Sequence, residues 1–347
     1  MAETMKAAVL QAFHTELVLE NLPRPIAGQG EVLVQVKASG LCVSDIHIQE
    51  GKISTVSLPL TLGHEMAGEI VAVGEGVSPK RIGERVTAAI DIICHKCSYC
   101  LSGRTNLCPE LVRIGFEANG SHAQYCVIPA QNAFPVAEHV PYTHITALPD
   151  AVGCMYNAIK NRAKLEMGQR ILILGTGGLG MNAIQIAKCF GAYVYATSRK
   201  DDKLEIAKLM GADGTINTAK EDIHEAAARL TNGQGFDVVI DNIGIESSIN
   251  LGIYLVRSGG KVIVSGYVDP TFSVNYQEIM KYEKEIIGMR GMTRRDLLDC
   301  IALVEQGRIV PYVYKTFPLS KVNEALELLR TGEANGRVVL DMTLEDE

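Results

Sequence analysis

Apolar and polar positions alternate in short runs over the first part of the chain. KAAVLQAF, EVLVQVKASG, GEIVAVGEGV and RVTAAI carry the period-two pattern and glycine punctuation of antiparallel strands. Near Asn157 the texture changes. RILILGTGG is a continuous apolar strand running into a glycine turn, and MNAIQIAKCFG places its apolar residues at helical spacing. YVYATS predicts a second strand and KLEIAKLMG a second helix, and FDVVIDNIG and KVIVSGY continue the alternation. Strand and helix at this rhythm predict a parallel sheet with right-handed crossovers. The tail predicts two helices, RRDLLDCIALVEQGRI and SKVNEALELLRTG, and a closing strand, GRVVLDM. That tail is expected to return to the first lobe. The expected α/β protein thus has a β-rich lobe of residues 1–155 and 290–347 and a parallel-sheet lobe of residues 156–289.

Composition narrows the function classes. The 347 residues suffice for two domains of roughly 100–200 residues each. A net charge of −7 counts against nucleic acid, whose phosphates need a basic surface. No apolar run approaches the ~18 residues of a membrane span, and the apolar part of MAETMKAAVL is short for a signal peptide. A soluble cytoplasmic protein is expected.

Candidate chemistry begins with CHKCSYCLSGRTNLC, which spaces Cys94, Cys97, Cys100 and Cys108 by two, two and seven intervening residues. Three short steps and one loop let four thiolates converge on one ion, the arrangement of structural zinc, in a lobe of about residues 91–111. Disulfides are the alternative, in a secreted protein. Further on, GTGGLG supplies Gly175, Gly177 and Gly180, with Gly178 between, at the G-x-G-x-x-G spacing between a strand and a helix. The first glycine permits the turn, the second lets backbone approach a pyrophosphate, and the third allows close helix packing. At the end of the next strand, where an acid would hold an NAD ribose, stand Ser198, Arg199 and Lys200. A hydroxyl and two cations suit a 2′-phosphate, so NADP(H) is preferred and NAD(H) stays possible through Asp201 or Asp202.

With SGLCVSDIH and LGHEMAGEIVAVGEGV upstream of the four cysteines, the whole chain resembles the zinc-dependent alcohol dehydrogenases of the medium-chain dehydrogenase/reductase family. The resemblance implies a GroES-like catalytic domain, a Rossmann cofactor domain, and two zinc ions per chain, one catalytic and one structural. It places Cys42 and His64 as ligands of the catalytic zinc, Glu65 beside the metal, Ser44 and His47 in the proton relay, and Asp45 as the acid that orients a metal-bound imidazole. The family's third ligand, a Cys or Glu, lies six residues before the position of Tyr156, which here gives Asp150; Glu65 and Cys154 remain alternatives. Two positions depart from the family's habits: Val43 follows Cys42 where a basic residue is common, and AAIDIIC lacks a tryptophan. The implied activity is hydride transfer between a nicotinamide and a small alcohol or its aldehyde or ketone, in a homodimer or homotetramer. Two other readings stay open. One is an NADPH-dependent double-bond reductase without catalytic zinc, and the other is a non-enzymatic NADPH-binding protein.

Overall fold

The computed structural model describes residues 3–266 and 268–344, so Tyr267, which closes the expected strand KVIVSGY, lies outside the described residues, as do both chain ends. The chain divides into two compact units. One takes the chain as far as Asp150, then Met292–Gly307 and Val313 onward; the other takes Ala151–Gly291 and Arg308–Tyr312.

The first unit is built around the strand Glu31–Leu41. Val32, Val34 and Val36 are buried in a core with Met66, Ile70, Val86 and Ile128, while Gln35, between the last two valines, and Lys37, just after them, are only partly covered. This is the alternation that a half-buried strand requires. Glu65–Val73 pairs antiparallel with it on one side, with Gly40 opposite Glu65. Arg337–Asp341 pairs antiparallel on the other, with Leu41 opposite Val338. Cys42, His64 and Arg337 therefore leave or enter the sheet at the same end. Val313–Phe317, a strand the hydrophobic pattern does not announce, lies parallel to Arg337–Asp341 at the sheet edge. Its VYKTF sequence leaves the middle residues exposed, and pairing with a buried neighbour is what fixes it.

In the second unit six strands form an all-parallel sheet in the order Gly214–Asn217, Tyr193–Ser198, Arg170–Leu174, Phe236–Asp241, Val256–Val264, Glu285–Gly288. Helices Gly178–Cys189, Asp201–Leu209, Ile223–Thr231 and Glu246–Leu255 supply crossovers. The central strand RILIL is buried over four of its five residues, which explains its unbroken apolar run. The strand order reverses beside Arg170–Leu174, and a doubly wound sheet binds ligands at such a switch point.

At that point Gly175 has φ +88°, and a Cβ on Gly180 would stand 2.1 Å from the Gly175 carbonyl oxygen. A Cβ on Gly177 would meet nothing within 4 Å. Gly180→Ala is therefore expected to destabilise the protein by about 3 kcal/mol through overpacking against backbone. Gly177→Ala should cost less than about 1 kcal/mol, the difference between two N-caps. Urea unfolding of the pair checks this, and equal losses would reject the close-packing account.

Candidate functional site

Cys42 precedes the helix Val43–Gln49, and Asp45 in its first turn accepts the Cys42 backbone N–H at Oδ2, 2.8 Å away. His64 ends the loop before the strand Glu65–Val73, and Asp150 lies in the π-helical turn Leu148–Val152. One donor atom from each of Cys42, His64 and Asp150 falls within 4.8 Å of the others. Cys42 Sγ is 3.3 Å from Asp150 Oδ2, and His64 Nε2 is 3.7 Å from the same oxygen. Bonds of 2.0–2.3 Å in a tetrahedron put neighbouring donors about 3.3–3.8 Å apart, and thiolate, imidazole and carboxylate are zinc's usual donors. The trio fits a zinc ion with three protein ligands. Among the described residues Cys154 is not in this cluster and belongs to the second unit.

The surroundings favour a cation. Asp45 is fully buried, with Oδ1 3.5 Å from His64 Nδ1 and Oδ2 3.7 Å from His122 Nε2. Burial opposes its ionisation, but the charge of His64 and the contacts with both imidazoles outweigh it and hold the carboxyl well below the usual range. Burial likewise opposes a charge on His64, while Asp45, Asp150 and Cys42 push that imidazole well above its ordinary value. A metal arriving there displaces a proton. The carboxylate facing Nδ1 favours the tautomer that leaves the Nε2 lone pair toward Cys42 and Asp150.

Glu65 is not in the donor trio. Arg337 Nε donates to Glu65 Oε2 at 2.7 Å, and its Nη2 bonds both Glu65 Oε1 and, at 3.0 Å, Asp150 Oδ2. Burial drives the Glu65 carboxyl up to about 7 against the pull of Arg337. Sequence reasoning missed Arg337, whose one signal was a cation heading the apolar strand RVVLD. It also missed His122, in GSHAQY.

Ser44 Oγ lies 3.6 Å from Cys42 Sγ, and His47 follows in the last turn of the same helix, half-buried. Burial lowers the His47 pKa below its usual 6.5, with Lys52 helping and Glu50 opposing. The Phe116 ring packs 4.9 Å from the His64 ring.

In the cysteine lobe, strands Asp91–Ile92 and Val112–Arg113 pair at the base. Cys94, Cys97, Cys100 and Cys108 converge within 4.8 Å, and none forms a disulfide. The Cys97 sulfur accepts the Cys100 N–H, and the Cys108 sulfur accepts the Cys94 N–H, each at 3.4 Å. A bond from the Lys96 backbone leads in drawing the Cys94 thiol down to about 7, while desolvation and then the bond to Cys97 push Cys100 up to about 12. Four sulfurs this close could share one cation on losing their protons, and four donors would close its tetrahedron.

In the second unit, the strand Arg170–Leu174 leads through Gly175 to the helix Gly178–Cys189, with Gly177 at its N-cap. Ser198 ends the next strand, its Oγ accepting the Lys200 N–H at 3.1 Å, and Arg199 and Lys200 are exposed. Asp201 is engaged by Asn217, at 2.6 Å, and by Lys220. Asp202 Oδ1 accepts the Lys203 N–H at 2.8 Å. No helix of the described residues is long and apolar enough to cross a membrane.

Known proteins resemble the chain over almost its whole length. The profile of the alcohol dehydrogenase GroES-like domain matches residues 28–138, and that of the zinc-binding dehydrogenases matches residues 178–306. The chain is 32% identical over 339 residues to the D-arabitol-phosphate dehydrogenase of Enterococcus avium, covering 96% of each protein. It is 33% identical over 340 residues to the sorbitol dehydrogenase of Halalkalibacterium halodurans, covering 95% of this chain and 97% of that one. The acetophenone reductase of Geotrichum candidum, solved in complex with NAD, superposes with a TM-score of 0.90 at 33% identity over 98% of both chains.

The four-cysteine lobe generates a direct test. Cys97→Ser should lower zinc content and melting temperature together, by roughly 6–12 °C if about 3 kcal/mol is lost in a unit of this size. Elemental analysis and calorimetry read both quantities, and native values of each would remove the metal from this lobe.

Proposed function

Since the chain belongs to the zinc-dependent alcohol dehydrogenases of the medium-chain dehydrogenase/reductase family, we propose that its alcohol oxidoreductase activity depends on a zinc ion held by Cys42, His64 and Asp150, with NADP(H) favoured over NAD(H). The observation that carries this reading is the convergence of those three donors at tetrahedral spacing, with Ser44 and His47 on the adjoining helix. Bound there, zinc supplies a Lewis acid to the substrate oxygen, and the nicotinamide supplies the hydride acceptor or donor.

The remaining tasks fall to the chain's own side chains. Asp45 holds His64 with Nε2 free to ligate. Ser44 Oγ takes the proton from the substrate hydroxyl and passes it toward His47, whose lowered pKa keeps the imidazole neutral and able to accept it. Arg337 spans Glu65 and Asp150 and fixes the carboxylate that completes the trio. In the second unit Gly177 lets backbone approach the pyrophosphate. Ser198 and Arg199 receive the 2′-phosphate, a reading supported by the commitment of Asp201 to Asn217 and Lys220. The Cys₄ lobe holds a second, structural zinc. The relatives named for a polyol and a polyol phosphate make small secondary alcohols and polyols the first substrates to try. Among the described residues the edge strand Glu285–Gly288 pairs on one side only, which supports a homodimer or homotetramer joined through this sheet. Cysteines free of disulfides suit the cytoplasm.

One observation favours a second reading. Arg337 already bonds Asp150, so the carboxylate has a cationic partner without a metal, which suits a zinc-free NADPH-dependent double-bond reductase. Zinc per chain, measured beside turnover of alcohols, ketones and enones with each cofactor, separates the two. The zinc reading expects two ions, carbonyl reduction and a higher kcat/KM with NADP(H). Asp150→Ala should take the metal from two ions toward one and abolish turnover, while Cys154→Ala should do neither. The opposite pattern transfers the ligand to Cys154.

The proton relay carries its own pH signature. His47 is neutral above its depressed pKa, so it accepts protons down to below pH 6.5. His47→Gln should slow alcohol oxidation by up to about 100-fold between that pKa and neutrality, with the gap closing at alkaline pH as solvent base takes over. Zinc content should not change. A pH-independent defect, or loss of zinc, would remove His47 from the relay.

A further inference from the structure

Asp45 serves two imidazoles, and the second has no place in the mechanism above. We propose that His122 is a positioning residue that fixes the Asp45 carboxylate and, through it, the orientation of His64. This rests on the reading of Cys42, His64 and Asp150 as a metal centre.

The geometry runs in one direction. His122 is fully buried, with Nε2 3.7 Å from Asp45 Oδ2 and Nδ1 2.9 Å from Ser39 Oγ. Ser39 Oγ is in turn 2.7 Å from Ser121 Oγ, and both serines are fully buried. An ionised carboxylate only accepts, so the His122 proton belongs on Nε2 and its Nδ1 becomes the acceptor. Ser39 then donates to His122, and Ser121 donates to Ser39. The Nε2–H left at the end of this chain faces the Asp45 carboxylate across 3.7 Å, an electrostatic contact rather than a hydrogen bond, and Asp45 itself accepts the Cys42 N–H. The backbone pins the ring's place: His122 N–H donates to Leu62 O at 2.9 Å, Ser121 N–H to Gly63 O at 2.8 Å, and Ala8 N–H to His122 O at 2.8 Å. Residue 63 must be glycine, because φ is +98° and a Cβ would stand 2.5 Å from His122 Nδ1. His122 thus touches the loop that delivers His64 by backbone and the acid that faces His64 by side chain. Removing its nitrogens leaves Asp45 with one imidazole and frees the carboxylate to rotate away from His64.

The test compares His122→Phe, which keeps a ring but loses both nitrogens, with His122→Gln, which keeps an amide N–H to offer Asp45. Zinc retention is measured by chelator competition on the full chain. Cobalt substitution adds the thiolate-to-metal absorption band of the Cys42 site. His122→Phe should weaken the Cys42-dependent metal about 10–100-fold and alter the band, leaving the four-cysteine metal in place. His122→Gln should recover most of the affinity. A merely structural role would lower the melting temperature of both variants without this split. If His122→Phe does not fold, Ser39→Ala carries the test: weaker metal binding at near-native melting temperature supports the proposal. Wild-type retention in whichever of the two is measured overturns it. Cys42→Ala is the control for the underlying reading. A wild type with one zinc, unchanged by Cys42→Ala, rejects the metal centre and the proposal together. Two zincs with undiminished retention in the variants reject the role of His122 alone.

Discussion

In the strand Glu31–Leu41, Gly40 lies opposite Glu65 on one side and Val339 on the other, and Leu41 lies opposite Val338. The residues just beyond these pairs are Cys42, His64 and Arg337. A strand register slipped by one residue exchanges the faces of all its side chains. It would therefore move the thiol off the imidazole and bury Gln35 and Lys37 in place of Val34 and Val36. The apolar core with Met66, Ile70 and Ile128 makes that slip costly. Packing energy in this core thus holds Cys42, His64 and Arg337 at one end of the sheet.

The same end of the sheet concentrates charge where water is scarce. Glu65 and Asp150 share the Arg337 guanidinium, Asp45 faces His64 and His122, and Asp45, Glu65 and Arg337 are buried. Buried carboxylates without enough cations take up protons. Glu65 shows the strain of this arrangement, pushed up to about 7 although Arg337 grips it. A divalent ion between Cys42, His64 and Asp150 would correct the imbalance, which is why these acids make better sense as the lining of a metal site than as a self-contained salt-bridge network.

What could be read from sequence was local in sequence. GTGGLG is one turn, the four cysteines span one short lobe, and the parallel sheet declared itself through strand and helix segments of ordinary length. Cys42, Ser44, Asp45 and His47 lie on one short helix and its N-cap, within the single segment SGLCVSDIH that carries part of the family resemblance. The residues that remained silent act over distance. Arg337 meets Glu65 from 272 residues away, and no spacing rule links them. His122 meets Ser39 from 83 residues away through a loop with no motif of its own. The strand Val313–Phe317 was invisible for a related reason: its burial comes from the partner strand rather than from its own pattern. The placing of Asp150 depended on a count back from Tyr156, and the chain between them runs through π-helical and α-helical turns that sequence did not announce.

Asp150 also shows how two demands fit on one short side chain. Arg337 cannot give up its charge and stays 3.0 Å from Asp150 Oδ2. The same oxygen is 3.3 Å from the Cys42 sulfur and 3.7 Å from His64 Nε2. A carboxylate offers about four lone-pair directions, so one oxygen can accept the guanidinium and still present a lone pair to an ion. Held this way, Asp150 loses the freedom that a shorter, harder ligand would otherwise have to surrender on binding metal. The guanidinium withdraws charge from the carboxylate, and a ligand that donates less leaves the ion a stronger Lewis acid. If zinc binds as proposed, the grip that looks like a rival for Asp150 would be part of what tunes the site, with Glu65 anchoring Arg337.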